Sequence, residues 1–356
     1  MKKVFYILAA TLTSSFAFAQ EDEKPASPAT TWGGSADAYY KYDFSKQMNG
    51  LTSFTNSQDS FELGMASIEA GHTFGKASVF VDLGFGKRAG EFSYNETTDK
   101  DINAKFLIKQ LFFTYQITDE FKVVAGSFGT HIGYEVLDAV DNKNYSMSYA
   151  FSYGPFFNTG VKAQYTSGKF TAMFGVTNPT DFKSAMDAGS TQKTYIGQVG
   201  YIGDTGSAYL NFTSGSSNPA SDENKTQFDL TASKTISDSF GLGLNATYAK
   251  TKNDFDSTLD GEWFSLVGYA NYSFSPSLLL AYRIEYFDAK DAAPSLGTLT
   301  GSSVFANTVS LNYKVGKLTI IPELRYDAAS EDIFLDSDAA PTGGSFFALL
   351  ATTYSF

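Results

Sequence analysis

Residues 158–177 read NTGVKAQYTSGKFTAMFGVT, and this stretch decides the fold. Apolar side chains occupy every second position from Val161 to Tyr165 and again from Phe170 to Val176. A period of two is typical of a β-strand that has two unlike faces. The short segment between the two runs is centred on Ser167-Gly168, which is typical of a tight turn. The stretch therefore predicts two antiparallel strands joined by a hairpin turn.

The same alternation recurs along the chain from Trp32 onward. Each predicted strand holds roughly 9 to 12 residues, which suits a tilted strand that crosses a membrane. A soluble β-sandwich also alternates, but it seldom does so over this many residues per strand. The clearest further runs lie at 36–44, 111–117, 242–248, 280–286, 318–326 and 345–356.

The connections alternate between short and long, and this is the stronger signal. Seven short turns and eight long polar segments make fifteen connections and therefore sixteen strands. A soluble β protein has no physical reason to segregate its loops by length. The fold class predicted is all-β, a transmembrane antiparallel up-and-down β-barrel of about 16 strands with short periplasmic turns and long extracellular loops. The short turns are centred on Gly75, Thr118-Asp119, Ser167-Gly168, Gly203-Asp204, Ser237-Asp238, Ser275-Pro276 and Gly316, and the long segments are 45–60, 87–103, 130–157, 178–191, 214–225, 251–261, 288–302 and 328–344.

A sheet in lipid must close, because every backbone donor and acceptor there needs a partner inside the protein. Alternation then places apolar side chains toward lipid and polar ones toward the lumen. Sixteen strands enclose a lumen too wide for strand side chains to fill, which leaves an aqueous channel unless another segment folds in. The polar face predicts these pore-lining residues: Lys41, Asp82, Lys162, Gln164, Arg283, Glu285, Glu323, Arg325 and Asp327.

The beginning of the chain has the pattern of an export signal. Lys2 and Lys3 precede a short apolar run, and Ala17-Phe18-Ala19 offers a small-residue cleavage site. We therefore expect a signal peptide at residues 1–19. A flexible periplasmic tail at 20–33 and the outer-membrane barrel at 34–356 are expected to follow.

The last predicted strand ends on aromatic side chains. Tyr354 and Phe356 lie on one face of this strand. An aromatic residue at the end of such a strand resembles the C-terminal signature that the barrel-assembly machinery recognises in outer-membrane barrels. We therefore expect these two residues to act in barrel assembly.

The composition argues against several other classes of protein. The 356 residues include no cysteine, so disulfides do not hold the fold together. A net charge of −12 argues against nucleic-acid partners, because proteins that bind nucleic acids need basic surfaces. Only His72 and His131 are available as imidazole bases, and neither lies in a nucleophile motif. We therefore expect no enzyme activity, no catalytic residues, no cofactor and no metal site.

Acidic residues cluster in two of the long segments, at 254–262 and 331–338. Calcium binding needs several converging oxygens, but the spacing of an EF-hand is absent. The interpretation that we favour is solvated loop carboxylates, bridged loosely by divalent ions of the surrounding lipopolysaccharide. Calcium binding by these loops stays open.

Several short motifs lie between residues 121 and 177. They are Gly126-Ser127-Phe128, His131-Ile132-Gly133-Tyr134-Glu135, Asp141-Asn142, Asn144-Tyr145-Ser146, Thr159-Gly160-Val161-Lys162 and Phe174-Gly175-Val176-Thr177-Asn178. Together they resemble the OmpL-like β-barrel porins, and the resemblance implies a porin over 34–356. His131 stands where these proteins often have Pro, and Met147 where a basic residue is common. Because Met147 carries no positive charge, the resemblance gives only weak support for an anion preference at this segment.

Segment 130–157 is the longest predicted connection. Porins of this size commonly fold one long loop into the lumen as a constriction, and this segment is the candidate. Glu135, Asp138, Asp141 and Lys143 would then set the local field and the size limit, as charged rings do in channels. The alternative, in which the segment lies outside the barrel like the other loops, is equally open.

The expected function is that of a porin in the bacterial outer membrane, which lets small hydrophilic solutes or ions diffuse passively through a water-filled barrel. Its expected partners are outer-membrane lipids, lipopolysaccharide and the barrel-assembly machinery, and analogy with other sixteen-stranded porins predicts a homotrimer. The alternative is an occluded surface-structural or adhesive barrel that acts through its extracellular loops. Whether segment 130–157 fills the lumen completely distinguishes the two.

Overall fold

The computed structural model describes residues 29–93, 108–184, 192–218 and 223–356. The predicted signal peptide and the predicted tail up to residue 28 lie outside the described residues. Within the described ranges, sixteen strands form one closed antiparallel barrel, which confirms the predicted fold class. Consecutive barrel strands pair with each other, and the first and last close the sheet. The strands are β1 (Ala29–Asp43), β2 (Ser60–Phe74), β3 (Ala77–Phe85), β4 (Ile108–Gln116), β5 (Phe121–Gly129), β6 (Phe157–Ser167), β7 (Phe170–Thr177), β8 (Thr194–Gly203), β9 (Gly206–Asn218), β10 (Glu223–Ser237), β11 (Phe240–Asn253), β12 (Gly261–Ser275), β13 (Leu278–Asp288), β14 (Ser303–Val315), β15 (Leu318–Ala329), a separate hairpin of β16 (Phe334–Leu335) and β17 (Pro341–Thr342), and finally β18 (Gly344–Ser355).

Tight turns join the strands at one end of the barrel, at the positions that the sequence predicts. In the turn between β6 and β7, Gly168 has a φ of 58°, a left-handed conformation that glycine adopts without strain. Gly75 and Gly316 have similar angles in the turns after β2 and β14. We call this end the short-turn rim, and the opposite end, where the long connections lie, the long-loop rim.

The first strand begins earlier than the sequence predicts. β1 starts at Ala29 rather than at residue 34, because residues 29–34 pair with β2 as far as Thr73. The residues before Ala29 are acidic and include proline, which is typical of a flexible tail. The predicted tail was therefore extended to residue 33, inside the strand. The part of the predicted tail from residue 29 onward is therefore barrel wall.

The connection predicted at 214–225 is also shorter than expected. β9 continues to Asn218 and β10 begins at Glu223, so most of this segment belongs to strands. Cross-strand hydroxyl contacts help to stabilise the extension, and Ser214 Oγ lies 2.7 Å from Thr226 Oγ1. Polar composition alone does not separate an extended strand from a loop.

The barrel wall has an apolar outer face. Among its outward side chains, Phe61 is 87% exposed and Phe113 is 60% exposed. The inner face carries polar, charged and aromatic side chains, many of them buried. This is the arrangement of a barrel whose outer face meets lipid and whose buried groups lie inside the lumen.

The helices are short and lie in the long connections. α1 (Lys87–Phe92) follows β3, and α2 (Tyr149–Ser152) precedes β6. The hydroxyl of Ser148 caps α2 by accepting a hydrogen bond from the Phe151 amide. Among the described residues, no helix is long and apolar enough to cross a membrane. Single 3-10 turns lie at Ala139–Asp141 and Ser257–Leu259, and a longer 3-10 stretch with a kink at Gly297 spans Pro294–Leu299.

The hydrophobic core lies inside the barrel, where three long connections pack together. Phe54 from the connection after β1 and Phe92 from α1 share one buried cluster with Met147 and Phe151. Two further clusters join the aromatic side chains of the connection after β5 to inward residues of the wall. Residues 130–156 therefore fold into the lumen and do not lie over the rim. We call this segment the inner loop.

Candidate functional site

The first part of the inner loop lies against β9 and β10. His131 Nε2 donates a hydrogen bond to the Phe212 carbonyl of β9 over 2.9 Å. The Gly133 amide donates to the Asp229 carboxylate of β10 over 3.0 Å. Asp229 also accepts a hydrogen bond from Asn211 of β9 over 2.8 Å. A buried polar cluster on the wall therefore holds the loop here, and such clusters rigidify a site when every member has a partner.

The loop next reaches β13, where the predicted residues Glu135 and Arg283 form an ion pair. Arg283 Nη1 lies 2.5 Å from Glu135 Oε1, and both side chains are buried. Arg283 Nη1 also donates to the Ser146 carbonyl over 2.5 Å. Arg283 therefore ties two separate parts of the inner loop to the wall.

Asp138 attaches the loop to the opposite part of the wall. Lys109 Nζ of β4 lies 2.7 Å from Asp138 and 3.0 Å from the predicted pore residue Asp82 of β3. The Ser67 hydroxyl of β2 donates to Asp138 over 3.0 Å. Because β13 and β4 are seven strands apart around the barrel, the chain has crossed the lumen between Glu135 and Asp138.

Two wall carboxylates hold the returning half of the inner loop. Glu323 of β15 accepts hydrogen bonds from the Tyr145 and Ser146 amides, over 2.7 and 3.1 Å. Glu285 of β13 accepts hydrogen bonds from the first two amides of α2, both over 2.8 Å. Amides at the start of a helix lack backbone partners, and charged acceptors form about twice as strong a hydrogen bond as neutral ones. The two glutamates therefore fix the path of the loop backbone.

Arg325, Asp327 and Lys41 also lie beneath the long connections. Arg325 Nε lies 2.7 Å from Asp327, and Arg325 Nη1 donates to the Met147 carbonyl over 2.7 Å. Lys41 Nζ donates to the Thr55 carbonyl over 2.9 Å, and Lys41 is only 1% exposed. These predicted pore residues face the lumen, but they contact the connections that fill it.

Asp141 and Lys143 are the predicted loop charges that stay exposed. The surrounding protein partly desolvates both groups, which raises the pKa of Asp141 and lowers the pKa of Lys143 from their ordinary values. Repulsion from Lys314 of β14 lowers the pKa of Lys143 further. These two side chains therefore stay exposed on the β14 side of the lumen, where the Asn312 side chain donates a hydrogen bond to the Lys143 carbonyl over 2.9 Å.

One part of the wall is not covered by hydrogen bonds from the inner loop. Lys122 of β5 and Lys162 and Gln164 of β6 face the lumen there and are half-buried. Among the described residues, none of these three side chains has a hydrogen bond or an ion pair. Lys162 Nζ lies 4.0 Å from the centroid of the Phe128 ring. We call these three residues the open wall.

All the predicted wall residues lie on the inner face, in two groups. Lys162 and Gln164 belong to the open wall, whereas the other seven are buried against the inner loop or against neighbouring wall residues. Their role in lining a pore stays a prediction, and so does the role of the inner loop as a constriction. The predicted wall set omits Lys109, Asp229 and Arg88, which also face the lumen. Asp229 lies on the polar side of an alternating strand, so periodicity could have found it. Lys109 lies beside a register shift in β4, where alternation is unreliable.

Tyr354 and Phe356 lie near the seam where β1 meets β18. Both side chains are exposed. The Phe356 amide donates to the Gly34 carbonyl over 3.1 Å, and the Phe356 ring packs so closely that a Cβ at Gly34 would lie 2.5 Å from it. Recognition of these residues by the barrel-assembly machinery stays a prediction.

Two of the loop carboxylates considered for calcium have cationic partners. Asp260 lies 2.7 Å from Lys252, and Glu262 lies 3.5 Å from Lys250. In the part of the chain that the structure describes, no three acidic, histidine or cysteine side chains are grouped so that they could hold a metal ion. These contacts agree with the interpretation of solvated loop carboxylates.

We expect His131 to make the barrel less stable in acid. Burial lowers the pKa of His131 to about 4, whereas an unfolded chain takes up the proton at the ordinary value of 6.5. Because the unfolded state binds this proton more tightly, stability falls as the pH drops from about 6.5 to about 4. A His131→Gln barrel should therefore lose less thermal stability than the wild type between about pH 7 and about pH 4. Heat-induced unfolding on gels measures the difference, and equal losses in the two proteins would rule out the contribution of His131.

The barrel resembles known proteins in both sequence and fold. The family model described as "Putative beta-barrel porin-2, OmpL-like" matches residues 29–356. No curated protein matches the chain by sequence. Among solved structures, the anion-selective porin from Comamonas acidovorans has a TM-score of 0.65 and 13% identity, over 93% of this chain and 100% of that one. OmpT of Vibrio cholerae has a TM-score of 0.60 and 12% identity, over 94% of this chain and 100% of that one. The outer membrane channel DcaP of Acinetobacter baumannii has a TM-score of 0.57 and 12% identity, over 94% and 99%. At these identities the likeness concerns the fold.

Proposed function

This chain belongs to the beta-barrel porin-2, OmpL-like family, and from that premise we propose that it is an outer-membrane channel through which small hydrophilic solutes or ions diffuse passively. The observation that carries the proposal is the closed sixteen-strand barrel, because a barrel of this size encloses more space than its strand side chains can fill. The apolar outer face supports a place in the bacterial outer membrane. Solutes pass down their gradients, with no coupling to an energy source.

The inner loop acts in this proposal as the constriction. Its contacts with β13 and β4 span the lumen, so it narrows the passage to the space beside the open wall. Lys162 and Gln164 border that space on the wall side, whereas Asp141 and Lys143 are the exposed charges of the loop on the β14 side of the lumen. Glu135, Asp138 and the buried wall charges hold the inner loop in position. They do not contact the solute themselves and affect its passage only by positioning the loop.

The second candidate function is an occluded barrel that acts through its extracellular loops. The observation that favours it is the packing of three connections inside the lumen, which leaves Lys41, Arg283 and Arg325 each 1% exposed. The two functions differ in whether solute passes the inner loop. We favour the open channel, because among the described residues the lysines of the open wall form no hydrogen bond or ion pair with the inner loop.

The expected partners follow from the same placement. The outer face binds outer-membrane lipids and lipopolysaccharide, and the barrel-assembly machinery inserts the barrel. A solved form of OmpT from Vibrio cholerae is a trimer, and we propose a homotrimer for this chain as well.

Both histidines are engaged in contacts with the wall, His131 with the Phe212 carbonyl and His72 with the Thr30 hydroxyl at 2.8 Å. No catalytic role is part of the proposal.

Liposomes that contain the purified protein should swell in solutions of small sugars. We expect the swelling rate to fall steeply as the sugar grows from a monosaccharide to a trisaccharide, because the inner loop limits the size of the passage. Protein-free liposomes and liposomes with heat-unfolded protein serve as controls. No swelling with any sugar, from a barrel that is folded and inserted, would favour the occluded barrel.

A further inference from the structure

Lys122 and Lys162 differ from Lys109, Arg283 and Arg325, three other inward cations of the barrel, in having no carboxylate partner. Lys109 lies within 3.0 Å of two carboxylates, and Arg283 and Arg325 each pair with one. Neither Lys122 nor Lys162 has a carboxylate within 4.0 Å among the described residues. The fold therefore pairs these three inward cations with carboxylates but leaves Lys122 and Lys162 without one at the open wall.

The register places these two ammonium groups close to each other. Lys122 pairs with Gln164 across β5 and β6, and Val124 pairs with Lys162, so the two lysines are diagonal neighbours on the same face. Like charges at neighbouring positions of a sheet repel each other. Partial burial adds to the cost, because a charge removed from water needs a compensating partner. The arrangement is therefore unfavourable in the empty barrel.

The groups around Lys162 do not supply the missing negative charge. Lys162 Nζ lies over the Phe128 ring, a cation–π contact that attracts the ammonium group but carries no negative charge to neutralise it. Val124, Phe128, Met173 and Ile196 form an apolar cluster on the adjacent wall. His131, the nearest group of the inner loop, is kept neutral by burial. An anion that entered this space would meet two cations, with no acid of the described residues beside them.

Lys143 and Lys314 form the other pair of exposed lysines inside the barrel, on the opposite side of the lumen. Their environment differs, because the carboxylate of Asp141 lies close enough to Lys143 to offset part of its charge. The open wall has no comparable acid. Lys122 and Lys162 are therefore two neighbouring lysines that no acid of the described residues offsets.

We propose that Lys122 and Lys162 form a binding site for small oxyanions, that is, for solutes that carry a carboxylate or a phosphate. The inference rests on the proposed function as a channel, and it names the class of solute that the channel favours. Each lysine donates hydrogen bonds to the oxyanion, and the two positive charges are neutralised. Gln164, beside Lys122, supplies a neutral hydrogen-bonding group.

Binding of inorganic phosphate to the purified protein tests the site without requiring an open channel. Titration calorimetry in detergent should show binding to the wild type, and Lys122→Gln/Lys162→Gln should raise the dissociation constant by about tenfold or more, the effect of losing a charge-assisted hydrogen bond. Lys162→Arg, which keeps the charge, should retain most of the affinity. Lys250→Gln/Lys252→Gln removes two lysines at the long-loop rim, and should bind phosphate as the wild type does.

The double variant should fold normally, because it removes two unpaired and mutually repelling charges. Its unfolding temperature should equal or exceed that of the wild type, whereas lysines with a structural role would lower it on removal. Phosphate affinity unchanged in the double variant, or absent from the wild type, would overturn the proposal. In a planar bilayer, phosphate should block the current through the wild type more strongly than through the double variant. A wild type that binds phosphate but carries no current would contradict the channel and leave the site standing.

Discussion

Replacement of Arg283 by alanine should release the inner loop and raise the single-channel conductance by about twofold or more, because the loop crosses a lumen that would otherwise be an aqueous channel. Arg283 pairs with Glu135 and donates to the Ser146 carbonyl, so one substitution removes both attachments. The substitution also leaves the buried Glu135 carboxylate without its partner, which costs about 3–5 kcal/mol. The loop can relieve that cost by carrying Glu135 into water. Conductance in planar bilayers and thermal unfolding on gels measure the two effects.

The matched control is Lys252→Ala, which breaks an exposed ion pair with Asp260 at the long-loop rim. An exposed pair contributes about 0–1 kcal/mol, so this variant should conduct and unfold as the wild type does. If Arg283→Ala kept the wild-type conductance while losing stability, the inner loop would not be the constriction. If Arg283→Ala changed neither the conductance nor the stability, the ion pair would not hold the loop.

Replacement of Gly126 by valine should prevent the barrel from folding. Gly126 has a φ of 133°, a conformation that residues with side chains rarely adopt. A Cβ built there would lie 2.2 Å from the Leu111 carbonyl oxygen and 2.7 Å from the Phe112 Cα of the paired strand. The backbone of β4 cannot yield without losing its pairing with β5, so we expect a destabilisation above about 4 kcal/mol. The fraction of protein that reaches the heat-modifiable folded form measures this effect.

Gly90→Ala is the control for that substitution. A Cβ at Gly90 would meet nothing within 4 Å, and the residue lies in α1, where alanine is favoured over glycine by about 1 kcal/mol. This variant should fold at least as well as the wild type. A Gly126→Val barrel that folded with the yield of Gly90→Ala would show that β4 and β5 can separate at this point.

The strands were predictable because lipid and lumen impose opposite demands on neighbouring residues. Val161 and Tyr165 point outward and are about half-exposed, whereas Lys162 and Gln164 between them point inward, as the period of two requires. The turn at Gly168 was equally predictable, because glycine readily adopts the left-handed backbone conformation that joins the two strands there. Boundaries were less predictable at β9 and β10, because polar residues can extend a strand when their partners across the sheet are also polar.

The contacts of the inner loop could not be derived from periodicity. Glu135 and Arg283 are 148 residues apart, and nothing in the spacing of either shows that they meet. The charges that were predicted to line a pore belong mostly to this packing: Glu285 and Glu323 bind loop amides instead of facing water. Alternation shows which face of the wall a residue occupies. What covers that face depends on the three-dimensional path of a loop, and composition does not determine this path.

The partition of the inward charges explains how one barrel can hold a loop and still present a binding surface. Arg283 and Glu323 lie where the loop covers the wall, and every such charge has a partner on the loop or beside it. Lys122 and Lys162 lie where the loop makes no hydrogen bond. Charges used for positioning are therefore neutralised within the protein. Those proposed to meet solute are left for the solute to neutralise.

The most direct test of the account is the single-channel conductance of the purified protein in a planar bilayer. We expect stepwise openings of uniform size, with a reversal potential in a salt gradient that shifts toward cations when Lys122 and Lys162 are replaced by glutamine. Insertion of a folded, heat-modifiable barrel that carries no current at any voltage would contradict it. That result would mean that the inner loop closes the lumen, and the barrel would then act through its extracellular loops.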